Sequence, residues 1–460
     1  MDNLVGGEEG EELDRRVSDV HVALVKAADT LDFADIEVLY NLLIAGRTIS
    51  YIDSLLPLLA RDAELNAGST LKMARWLVLN APDREAVKFG IAVWGLGKGE
   101  NEREVFLTLA CHEEFTVYAM VALSYLVPDE DHDRLWLMMA GRVHGWGRIR
   151  LVERLSVTED PAIRGWLLRE GYRNSVMHEY LAYVCATGGN LVEALRAPEV
   201  DQPLLVGAGE ILVALISGGP AKDITDYADG AEAVRLFLGH LTFAPCFAVE
   251  CFLAAHWINL YLNDESVDWK ELPPGWSENF RRKMAEMAAR IVARDEWRDL
   301  IVQSLKAEDD RVFRKAAVAA DTLEIDTWPD RFERLQQGKK EQWHFVTQTD
   351  DPERMDRVVT LAGETLEPLC DEDDLGNNLE MDFVVRGLGR FPGKGWPLIR
   401  RSLQSPAERR RLGAVYALEQ WGRETWSDEV RQTLEAVMFR EQDDIVRESM
   451  YNVLLGRPLE

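Results

Sequence analysis

The sequence predicts an all-α protein, a HEAT- or armadillo-like stack of helix pairs wound as a superhelix (an α-solenoid). Three observations carry that expectation. A unit keeps restarting: an acidic or proline-containing turn, a basic residue, then an alanine-rich apolar stripe. It reads EDPAIRGWLL at Glu159–Leu168, DDRVFRKAAVAADTL at Asp309–Leu323, SPAERRRLGAVYAL at Ser405–Leu418 and DDIVRESMYNVLL at Asp443–Leu455. One helical hairpin cannot bury its apolar face alone, so such a unit calls for neighbours stacked against it. Apolar residues also recur at helical spacing, as at Leu39, Leu42 and Leu43. Runs that alternate with period two between turn dipeptides are scarce, which leaves little room for strands.

Along the chain, residues 1–12 read as a disordered acidic head. Residues 13–262 form the N-terminal helical repeats, broken at Gly46, Asn66–Ser69, Ala81–Asp83, Gly95–Glu100, Pro128–Asp131, Gly145–Gly147, Thr158–Pro161, Gly188–Asn190 and Ser217–Pro220. Two breaks per repeat give a period of about 30–40 residues, the range of HEAT and armadillo units. Residues 263–277 (NDESVDWKELPPGWS) carry a Pro-Pro pair that neither a helix interior nor a central strand tolerates. They read as a linker or a long inter-repeat loop. Helices resume for the C-terminal repeats, residues 278–460, with a second acidic break at Cys370–Asn378.

The chain has 460 residues, 47% of them hydrophobic, enough for a large stacked interior. A formal charge of −28 argues against nucleic-acid binding, which needs basic patches to displace counterions, and against adsorption to anionic lipid. It suits solubility or a basic protein partner. Five scattered cysteines without the spacing of a disulfide framework point to a reducing cytoplasm. The start, MDNLVGGEEGEELDRR, is acidic where a secretory signal is basic and then apolar. Stretches such as LLVGAGEILVALI are too short to span a bilayer.

The densest candidate site is GRVHGWGRIRLVERL, Gly141–Leu155, which packs Arg142, His144, Trp146, Arg148 and Arg150 around two glycines, Gly145 and Gly147. It could cradle an anion with backbone amides, guanidinium forks and an indole platform, or be an inter-helix turn with Trp146 plugging a groove. Downstream, Arg173 and His178 could join the same surface if the repeats stack in register. Two Gly-x-Gly clusters, at Trp94–Glu102 and Val206–Leu215, lack the strand–turn–helix context of a dinucleotide site. His240, Cys246, Cys251 and His256 diverge around a helix and read as core, so no metal ligand set is assigned. The acidic loop from Asp371 matches a calcium loop poorly. Carboxylate pairs such as Glu113–Glu114 do acid–base work only when held in a cleft. No nucleophile elbow, phosphate loop or zinc-protease motif is present, so catalytic residues are not assigned.

The segments GWGRIRLVERL, IRGWLLREGYRNSVMHEYLAYVCA and PGKGWPLIRRSLQSPAERRRLGAVYALEQW resemble a family of bacterial, HEAT-like helical proteins of mostly unknown function, some labelled limonene hydroxylase. That resemblance implies a terpene monooxygenase using NAD(P)H, although the residues themselves supply no flavin, haem or di-iron chemistry. The leading expectation is a cytoplasmic protein-binding scaffold or adaptor whose basic spot on an acidic surface meets a protein partner. The alternative is the NAD(P)H-dependent terpene (limonene) hydroxylase, with a small apolar substrate.

Overall fold

The computed structural model describes residues 10–63, 65–97, 102–366 and 379–459, and among them the chain is helices and turns, with no strand. The all-α expectation therefore holds. The acidic segment Cys370–Asn378 and Gly99 of the first glycine cluster lie outside the described residues. The first helix, Gly10–Thr30, begins slightly before the expected boundary at residue 13. Glu12 is a good helix former and favours the positive end of a helix dipole.

The chain divides into two compact units, Met1–Leu300 and Ile301–Glu460. The Pro-Pro segment thus falls inside the first unit, not at the boundary. Its aromatic residues explain this: Trp269 and Trp276 pack on Tyr261 of the preceding helix, tilted and edge-on, with centroids 5.1 and 6.0 Å away. Trp276 also meets Phe280 of the following helix, and Ser277 caps that helix through the Phe280 N–H.

In the first unit the helices alternate between two layers. One row runs Arg84–Trp94, Thr116–Ser124, Gly145–Leu155, Glu179–Gly188, Gln202–Ser217 and Val249–Leu262, each packed on the next. The partner row includes Ala67–Asn80, Arg103–Leu109 and His132–Ala140, each paired with the helix that follows it. In the second unit Glu380–Leu388, Glu408–Trp421 and Asp444–Leu455 pack in succession, and Trp396–Leu403 and Asp428–Met438 cover them. One continuous apolar interior runs through that unit from Trp328 to Val453.

The recurring motif has a physical cause in hydrogen-bonding needs at helix starts. Asp160 caps the Ala162 N–H at 2.7 Å, and Asp443 caps the Ile445 and Val446 N–H groups at 2.9 and 3.0 Å. Such a cap satisfies a donor that the helix itself cannot. Two residues before the cap position, Thr158, Ser405 and Glu441 accept the backbone N–H of Asp160, Ala407 and Asp443. Four residues after it, an arginine folds back: Arg164, Arg411 and Arg447 donate to the Thr158, Ser405 and Glu441 carbonyls at 3.2, 3.0 and 3.1 Å. In the copy at Asp309 a buried Phe313 takes the arginine's place, and Arg334 serves the equivalent Ala307 carbonyl at 2.8 Å. In three of the four copies the basic residue of the motif is a backbone clamp.

The second glycine cluster lies within the helix Gln202–Ser217. A Cβ at Gly207 would stand 1.9 Å from the Leu168 carbonyl oxygen, so this glycine lets two backbones meet.

Candidate functional site

Three helices of one row, Arg84–Trp94, Thr116–Ser124 and Gly145–Leu155, bring their N-terminal ends together around a cleft of about 500 Å³. Glu85 and Lys88, one helical turn apart, line it together with Val117 and Tyr118. Trp146 and Arg150 also line it, Arg47 and Ile49 come from an upstream turn, and Glu113 and Glu114 from the turn before Thr116.

Helix N-termini carry unpaired N–H groups and a positive dipole end, which explains the carboxylates here. Glu113 accepts the Trp146 backbone N–H at 3.2 Å and so caps a helix of the next repeat. Gly145 sits at φ +68°, and a Cβ there would come 2.3 Å from the Glu113 Oε2. Glu114 binds Arg84 at 3.2 Å and Lys88 at 2.7 Å. Glu85 accepts the Thr48 N–H at 2.7 Å and pairs with Lys88 at 2.9 Å. Burial pulls the Glu85 carboxyl upward, but the Thr48 N–H and Lys88 outweigh it and hold its pKa below the usual range. Burial, followed by the Glu85 charge, raises the Tyr118 phenol well above its ordinary value. Trp146 keeps 39% of its surface exposed and meets Tyr180 edge-on at 4.9 Å. The cleft thus offers an indole platform, an apolar edge and a balanced set of charges.

Of the residues singled out from the sequence, Trp146 and Arg150 reach this cleft, Arg150 paired with Glu153 at 3.0 Å. Arg142 and His144 are exposed outside it; His144 occupies the cap position of Gly145–Leu155 without a capping bond from its side chain. Arg148 is a correction to the expected surface patch. It is buried, donates to the carbonyls of Ala140, Glu170 and Arg173, and packs its guanidinium 5.3 Å from the Trp166 ring. On a helix, Arg148 points about 200° away from Trp146 and into the interior. Arg173 and His178 surround a different group. Arg173 donates to the Tyr172 hydroxyl at 3.1 Å and pairs with Glu170 and Glu210, while His178 meets the Tyr172 ring edge-on at 5.7 Å. Burial first, then Glu210, pushes the Tyr172 phenol far up.

Sequence reasoning missed Arg47, Glu85, Lys88 and Tyr118, which lie 28–99 residues upstream of Trp146. The single local sign was the three-residue step from Glu85 to Lys88 ahead of a helical run.

The residues do not fit a nicotinamide dinucleotide at the second Gly-x-Gly cluster. Gly207 is closed by the Leu168 carbonyl, and Gly209 by Ala254 and Phe237. At the first cluster, a Cβ on Gly95 would meet Ala122 at 2.6 Å. Among the described residues no group of three His, Cys, Asp or Glu side chains is placed to hold a metal ion. Cys251 is buried with its thiol pKa raised, first by burial, and His240 meets the Leu195 carbonyl at 2.7 Å. No described helix is long and apolar enough to cross a membrane.

No family model and no curated protein matches this chain. Among solved structures, the crystal structure of an engineered protein aligns over 95% of this chain and 98% of its own length, at 15% identity and a TM-score of 0.22. A score that low carries no argument. The class defined by fold and site is that of all-α proteins of packed helix pairs with a cleft at converging helix ends.

Proposed function

We propose that this chain is a protein-binding scaffold of the bacterial cytoplasm, and that its cleft grips a short segment of a partner protein. The observation that supports this reading is the make-up of the cleft: walls from successive repeats, an exposed Trp146, and charges already paired with one another. An indole beside an apolar edge gives contact area at low entropic cost, and flanking charges give register. The net charge of −28 steers a basic partner toward the surface at low salt.

Capture from bacterial lysate with the wild-type chain, Trp146→Ala, Arg150→Glu and Arg142→Ala tests this. The first two variants lose the partner and keep the wild-type circular dichroism spectrum, while Arg142→Ala retains it. Capture that survives both cleft variants removes the cleft from the reading. Oxidation of NADPH by the purified chain in the presence of limonene overturns the scaffold reading in favour of the terpene hydroxylase.

A further inference from the structure

The second unit holds a smaller cavity of about 290 Å³ with an unusual floor, lined among others by Asp321, Ile325, Asp326, Trp328, Arg331, Phe345, Thr349 and Arg354. Arg331 retains 8% of its surface exposure and has no ion-pair partner among the described residues. Its Nε donates to the Thr327 hydroxyl at 3.0 Å and Nη1 to the Gln342 side-chain oxygen at 3.2 Å. Its guanidinium lies 4.0 Å from the Phe345 ring centroid. A guanidinium has five N–H donors, so most of them are left without a charged acceptor.

Every other arginine of this neighbourhood that faces the cavity is neutralised. Arg354 forks onto Asp326 and also meets Asp351. Asp326 is further committed to the Trp328 N–H at 3.1 Å. That leaves Arg331 at the floor and Asp321 at the rim, whose charges attract each other without closing into an ion pair among the described residues. A buried, unpaired charge is costly unless an opposite charge joins it, and a fork of this kind matches a carboxylate. Two carboxylates on the lining oppose a multiply charged anion. An anion that carries its own positive group satisfies both ends.

We propose that this cavity binds a free α-amino acid, with its carboxylate on Arg331, its ammonium group on Asp321, and its side chain against Ile325 and Phe345. The volume falls just below the range of about 300–1,000 Å³ that holds drug-sized ligands, which fits a molecule of this size. The site is separate from the cleft and shares no residue with it.

The test uses the full chain. The twenty L-α-amino acids are screened at millimolar concentration by thermal shift and calorimetry. The best binder is then compared with its deaminated acid and its decarboxylated amine. At least one amino acid raises the Tm and binds; the deaminated acid binds at least about tenfold more weakly, and the amine more weakly still. Arg331→Met abolishes binding and keeps the wild-type circular dichroism spectrum, with a modestly lower ligand-free Tm because the buried Thr327 and Gln342 oxygens lose their donor. Asp321→Asn, a rim substitution, weakens the amino acid about tenfold and leaves the deaminated acid unaffected. Absence of binding by all twenty, or undiminished binding by folded Arg331→Met, overturns the proposal. Should Arg331→Met fail to fold, an amino acid that binds Asp321→Asn as tightly as wild type overturns it.

Discussion

Replacing Arg148 by methionine is the sharpest test of how the repeats are joined. The substitution keeps the apolar stem and removes the donors that serve Ala140, Glu170 and Arg173. Those carbonyls belong to the ends of two other helical segments, His132–Ala140 and Leu167–Gly171, and to the turn after the second, and Arg148 itself is buried. A hydrogen bond from a charged donor contributes roughly 1.5–3 kcal/mol, so three of them set a ceiling of about 4.5–9 kcal/mol. Two effects lower that figure. Burial already depresses the Arg148 pKa, which shows that the charge is held at a desolvation cost recovered on removal. Water entering the vacated space also satisfies part of the exposed carbonyls. A net loss of about 3 kcal/mol remains. For a unit of this size, with an unfolding entropy of roughly 2.1 cal/mol/K per residue, the loss corresponds to an apparent Tm lower by about 5 °C. The assay is thermal unfolding followed by circular dichroism, with Arg142→Ala as an exposed control expected to stay within about 0.5 kcal/mol of wild type. A Tm for Arg148→Met equal to that of the control refutes the clamp and returns Arg148 to the pool of ligand-binding cations.

Gly207→Ala drives a Cβ into the Leu168 carbonyl, a backbone atom that cannot swing aside, and is expected to destabilise the first unit by about 3 kcal/mol in urea unfolding. Gly363→Ala, where a Cβ meets nothing, serves as the control. Glu85 gives a pH signature. Its folded pKa is held below the unfolded value, so its contribution is fully present above about pH 5 and is lost as pH falls through the folded pKa. Glu85→Gln is therefore less stable than wild type at neutral pH, and its unfolding free energy falls less steeply between pH 5 and 3. An identical acid slope in the two proteins contradicts the assigned environment.

Much of the fold was legible because helix starts have local chemical needs. Asp160, Asp309 and Asp443 cap donors two or three residues away, within the same short stretch that the motif displays. The apolar stripe behind each cap follows from the 3.6-residue period of a helix. Arg164, Arg411 and Arg447 carry the same message, since each closes on a carbonyl six residues back. Their role as clamps was nevertheless hidden, because charge and spacing alone do not distinguish a side chain turned to its own backbone from one turned to solvent.

The candidate site divides along the same line. Trp146 and Arg150 were visible as a dense aromatic and basic cluster, and they do line the cleft. Arg148, between them in sequence, faces the interior, where the carbonyls it binds belong to other helices. Glu113 and Glu114 were recognisable as a carboxylate pair, but the cleft that holds them depends on Gly145–Leu155 packing beside Thr116–Ser124.

The amino-acid order by itself determined that the chain is helical, where several helices begin, and that its charge is strongly negative. Those properties arise from bonds and periodicities spanning a few residues. Tertiary packing decided which charges are neutralised and which are left open, from the filled guanidinium fork of Arg148 to the open one of Arg331. A long side chain finds its partner through space, and that partner sits on a helix whose position only the folded core can fix.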